Sequence, residues 1–196
     1  MSTDRIRIPG ARKVRASLDN DSRDARAIVV ACPPHPQRGG DRHDNRLRAV
    51  SAALPEWTDC LRVGYGPWDE GRGERADARA ACEWAADRYD SVMLFGYSFG
   101  GGVALLTAVD VGGPVAALSP VPRLEDGSDV VAAVNRVGGP LWVGYGTRDE
   151  TVDADRVGEA VRGREGTVET FPADHRFVGR EVAVGERVAA FVASVV

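Results

Sequence analysis

Short apolar runs alternate with helical stretches along nearly the whole chain, and nothing else in the sequence constrains the fold as tightly. The runs occupy residues 25–32, 60–65, 91–97, 115–119, 141–146 and 167–171. Helical patterns fall at 44–54, 74–89, 99–109, 153–163 and 181–195. In the second of these, Ala78, Ala81, Cys82, Ala85 and Ala86 recur at helical spacing and make a small apolar face. Such alternation builds βαβ units and a mostly parallel, twisted sheet with helices on both faces. Two earlier runs, 5–9 and 14–18, fit a hairpin at one sheet edge. A chain of 196 residues suits one domain, 1–196, and a core of that size needs no disulfide or metal staple.

Parallel sheets bind ligands beyond the carboxyl ends of their strands. That rule directs attention to loops 33–46, 65–74, 97–102, 147–153 and 172–178. The third of these holds Ser98, within Gly96-Tyr97-Ser98-Phe99-Gly100, a G-x-S-x-G pattern. It follows an apolar strand and opens a helix rich in small residues, the context of an α/β-hydrolase nucleophile elbow. The sharp turn strains the serine backbone and lifts its Oγ above the sheet. The strand and helix then pass so closely that positions two residues away must be glycine.

A serine hydroxyl needs a base. The chain has three histidines, His35, His43 and His175. Only His175 follows the last strand, where the chain order serine, acid, histidine places the base. A carboxylate must fix the base's tautomer and stabilise its cation. Asp149, just past the run 141–146, is the first candidate, with Glu150, Asp153 and Asp174 as neighbouring rivals. Asp153 suits the N-cap of the following helix better, and Asp174 adjoins His175 too closely to fold back on its ring. Two backbone N–H groups should face the developing oxyanion. One is expected from Phe99 and the other from the loop Pro33-Pro34-His35-Pro36-Gln37-Arg38-Gly39-Gly40. Pro36 has no N–H, which points to Gln37. His35, Trp68 and Phe177 are expected around the substrate pocket, His35 holding the loop.

These pieces resemble a family of small bacterial and archaeal α/β-hydrolases related to dienelactone hydrolases. Members carry H-P-H-P-x-x-G-G before the first helix. The present P-P-H-P-Q-R-G-G, with Asn45 after it, is similar but has Pro33 in place of the first histidine. The stretch Gly66 to Asp77 looks like the family's G-x-x-D-x-G-x-G-E-x-x-D, and D-H-R-F-V-G looks like its D-H-F-F-x-G, with Arg176 replacing an aromatic residue. The resemblance covers the chain from about residue 25 onward. It implies the α/β-hydrolase fold and a Ser98, Asp149, His175 triad, but no particular substrate. Dienelactone hydrolases proper use a cysteine nucleophile, so Ser98 sets this chain apart.

The remaining features narrow the function. A net charge of −4, with arginines scattered among acids and Lys13 the sole lysine, argues against nucleic-acid binding. Cys32, Cys60 and Cys82 lack metal-ligand spacing and read as buried apolar groups. No apolar run spans a membrane, and the first ten residues lack a signal-peptide core, so a cytoplasmic location is expected. No cofactor motif appears. The expected activity is a serine hydrolase acting on a small ester or thioester. A binding protein on the same scaffold would need none of the three triad residues. Peptidases of this fold carry added domains, and dehalogenase or epoxide hydrolase chemistry would want Asp at position 98. The segment 119–140, where this fold usually inserts a lid, holds only one short helix at about 128–136. A minimal lid or none is therefore expected, with short acyl groups preferred.

Overall fold

The computed structural model describes residues 3–10, 12–20, 24–164 and 166–196. Eight strands form one sheet in the order β1-β2-β4-β3-β5-β6-β7-β8. They are β1 Thr3–Arg7, β2 Arg15–Asp19, β3 Ala27–Cys32, β4 Thr58–Gly64, β5 Ser91–Tyr97, β6 Val115–Leu118, β7 Leu141–Gly146 and β8 Thr167–Phe171. The β1–β2 and β2–β4 pairs are antiparallel, and every other neighbour pair is parallel. The expected edge hairpin is thus present, and this is the α/β-hydrolase fold.

The two sheet faces explain the apolar runs. Along β3, Ile28, Val30 and Cys32 enter one core while Val29 and Ala31 enter the other. A strand buried on both faces has no place for a polar alternate residue. The first core is closed by α2 (Arg72–Ala86), α3 (Phe99–Val111), α4 (Val130–Val134) and α5 (Ala154–Arg162). The second is closed by α1 (Asn45–Ala53) and α6 (Glu181–Val195). None of the helices among the described residues is long and apolar enough to cross a membrane.

Element ends differ from the sequence expectation where a local bond decides them. The helix expected over 74–89 runs from Arg72 to Ala86. It starts early because Gly71 turns at φ 108°, and the buried Glu74 carboxylate accepts the N–H groups of Gly71 and Asp69 at 2.8 and 3.0 Å. It stops early because the Arg88 N–H folds back to the Ala85 carbonyl at 2.9 Å. The helix expected at 128–136 shrinks to Val130–Val134, capped by Asp129, whose carboxylate accepts the Ala132 N–H at 3.0 Å.

Candidate active site

The carboxyl ends of β3, β5, β7 and β8 converge on one cleft of about 890 Å³. At its floor, β5 runs directly into Ser98, whose backbone sits at φ 58°, ψ −120°. That conformation is strained for any residue with a side chain. The glycines around it are required by contact: a Cβ on Gly96 would lie 2.0 Å from the Gly100 carbonyl oxygen. A Cβ on Gly100 would lie 2.2 and 2.3 Å from the carbonyl oxygens of Cys32 and Pro33. The strand, helix and proline loop therefore close on one another only without side chains.

Ser98, His175 and Asp149 come together from three strand ends. Ser98 Oγ lies 2.9 Å from His175 Nε2, and His175 Nδ1 lies 2.8 Å from Asp149 Oδ2. The other Asp149 oxygen accepts the Thr151 and Val152 N–H groups at 3.0 and 3.3 Å. Burial pushes the Asp149 carboxyl up, but the bond from His175 and that from the Thr151 N–H outweigh it and hold the group below the usual carboxylate range. The buried Ser119 hydroxyl acts in the same direction, although it closes no well-formed hydrogen bond.

His175 is held by its backbone as well. The Tyr97 hydroxyl donates to the His175 carbonyl at 2.7 Å, and Arg46 Nη1 donates to the Arg176 carbonyl at 3.1 Å. The Arg46 guanidinium also covers the Tyr97 ring at 4.5 Å. Sequence reasoning missed both residues, whose partners are carbonyls that no side-chain motif reveals. The rival acids are accounted for. Glu150 is exposed on the cleft rim. Asp174 accepts the Arg176 N–H at 2.9 Å within its own turn. Asp153 precedes α5 as expected, but its side chain makes no cap bond.

Two expected site residues lie elsewhere. The Gln37 N–H is taken by His35 Nδ1 at 3.2 Å, and Gln37 lines an outer hollow of about 380 Å³ rather than the cleft at Ser98. Phe177 turns at φ 53° and is fully buried against Tyr97 and Phe171, so it supports the His175 loop from the core and is no part of the pocket wall. Trp68 stays near the site but in the outer hollow, its ring tilted against those of His35 at 4.5 Å and Phe99 at 5.5 Å. His35 and Phe99 border the cleft itself, their rings 5.0 Å apart. The N–H of His35 has no partner among the described residues, and it stands alone in a run where Pro33, Pro34 and Pro36 have none. All three cysteines are buried, and burial pushes the Cys32 and Cys60 thiols up to about 12. No group of three or more metal-ligating side chains is placed to hold an ion among the described residues.

Comparison with known proteins matches this architecture. An α/β serine hydrolase homologue from Coxiella burnetii is 22% identical, with 97% of each chain covered and a TM-score of 0.81. An α/β serine hydrolase without a lid from Xanthomonas campestris is 20% identical, covering 99% of this chain and 95% of its own, with a TM-score of 0.80. A dienelactone hydrolase from Anabaena variabilis is 19% identical, covering 100% of this chain and 98% of its own, with a TM-score of 0.83. At these identities the likeness is one of fold. No curated protein sequence matches significantly. The model of the dienelactone hydrolase family matches residues 68–193.

Proposed function

The chain belongs to the dienelactone hydrolase family, and from that premise we propose that it is a serine hydrolase acting on a small carboxylic ester or thioester. The observation that carries this reading is the continuous path Ser98 Oγ, His175 Nε2, His175 Nδ1, Asp149 Oδ2, with steps of 2.9 and 2.8 Å around the ring. Asp149 keeps the Nδ1 proton in place, so Nε2 is the free acceptor facing the hydroxyl. Ser98 Oγ attacks the substrate carbonyl as its proton passes to Nε2. The carbonyl electrons move onto the oxygen, and on this reading the N–H groups of Phe99 and His35 receive it. Collapse expels the alcohol or thiol, which leaves with the proton from Nε2. Water then repeats the sequence on the acyl-serine, giving the acid and restoring Ser98.

His35 replaces Gln37 as the second oxyanion donor because its N–H is the free one in the loop. The buried thiols support a serine nucleophile, since none of them reaches the cleft. The test is fluorophosphonate labelling with ester turnover. Wild type should be labelled at Ser98, and Ser98→Ala should keep the fold but lose turnover by about 10⁶, as in serine protease triads. A Ser98→Ala variant that keeps most of its rate would place the nucleophile elsewhere.

A further inference from the structure

The loop that supplies the His35 N–H is tied to a carboxylate on a different segment. Glu125, between β6 and α4, lies 3.0 Å from His35 Nε2, while His35 Nδ1 accepts the Gln37 N–H at 3.2 Å. A ring nitrogen that accepts an N–H carries no proton, so the His35 proton sits on Nε2 and is donated to Glu125. The site thus holds two histidines of opposite tautomer. His175 carries its proton on Nδ1 towards Asp149, and His35 carries its proton on Nε2 towards Glu125.

Both the backbone and the ring of His35 hold this loop. The His35 carbonyl accepts the N–H groups of Arg38 and Gly40, both at 3.0 Å, which winds the loop into the short turn Pro36–Arg38. The ring itself packs in a three-ring cluster with Trp68 and Phe99, the residue assigned the other oxyanion donor, all three centroids 4.5–5.5 Å apart. Glu125 projects from a braced turn. The Leu124 N–H bonds the Ser128 carbonyl at 3.0 Å, the Asp126 N–H bonds the Glu70 carbonyl at 2.8 Å, and Leu124 is buried.

We propose that Glu125 is a positioning residue for the oxyanion site. By fixing the His35 tautomer it keeps Nδ1 available to Gln37, holds the turn closed, and so sets the His35 N–H at a fixed distance from that of Phe99. The inference rests on the serine-hydrolase reading above. An oxyanion donor acts on the transition state more than on the bound ester, so loosening it lowers kcat and spares KM.

The test compares Glu125→Ala, Glu125→Gln and the parent enzyme, using p-nitrophenyl acetate kinetics and ¹H–¹⁵N spectra of the imidazoles. Glu125 is 44% exposed, so neither substitution empties a core. Glu125→Ala should lower kcat by about tenfold or more, short of the 10²–10³ lost with a whole donor, with KM within about twofold. Its His35 spectrum should leave the Nε2–H form. Glu125→Gln, whose amide oxygen still accepts from Nε2–H, should recover most of both losses. An Ala variant with unchanged kcat, or one that loses rate while His35 keeps its tautomer, overturns the proposal and leaves the serine-hydrolase reading standing. A parent enzyme that neither turns over the ester nor takes a fluorophosphonate overturns both.

Discussion

At Asp149 two opposing effects meet on one side chain. Burial disfavours its charge, and donors from His175 and the backbone restore it, leaving its carboxyl easier to ionise than in the unfolded chain. A group with a depressed folded value stabilises the protein above the unfolded carboxyl range, near pH 4, and loses that contribution as pH falls through the folded value. Thermal melts should therefore show the parent losing more Tm between pH 7 and pH 3 than Asp149→Asn does. Equal losses would mean that the folded protein does not shift this carboxyl. At neutral pH the same variant should lose turnover by about 10⁴ through the wrong tautomer, while Glu150→Gln stays near wild type. Asp149, Ser98 and His175 were legible because each falls just past an apolar strand in a fixed chain order. Gln37 was misplaced because a side chain folding onto a nearby backbone N–H leaves no periodic signal. Phe177 was misplaced because its positive φ turns the ring inward, and nothing in D-H-R-F announces that turn.

The strand–helix turn at Ser98 is an element whose neighbours are backbone. The contact of Gly100 with the Cys32 and Pro33 carbonyls joins the start of α3 to the loop that bears His35. A Cβ there cannot be absorbed by rotating a side chain. Gly100→Ala should cost about 1–3 kcal/mol in urea unfolding, typical of overpacking, and should lower turnover by displacing that loop. Gly138→Ala, with nothing within 4 Å of the added carbon, is the matched control. Equal unfolding midpoints would show that the two backbones part easily. Strand and helix centres were readable from apolar periodicity alone. Their ends were not, because α2 and α4 begin where Glu74 and Asp129 find N–H partners. Those bonds depend on the turn already being formed.

Seen whole, the molecule keeps its cleft open. The segment after β6 carries only α4 and the turn bearing Glu125, so no helical cover stands over Ser98. An acyl chain gains about 0.8 kcal/mol per methylene only while it stays buried. On the proposed reaction, acetyl to butyryl esters should be preferred, with kcat/KM flat or falling beyond roughly six to eight carbons. A steady rise towards long-chain esters would reveal a deep acyl tunnel. The parallel strands also give the sheet two unlike rims. Ser98, Asp149, His175, His35 and Glu125 all stand at the carboxyl rim. The turns at the amino rim, 87–90, 112–114, 135–140 and 163–164, carry none of them. On the proposed reaction, inserted tags and new chain termini at the amino rim should therefore leave turnover near wild type, whereas those at the carboxyl rim should lower it.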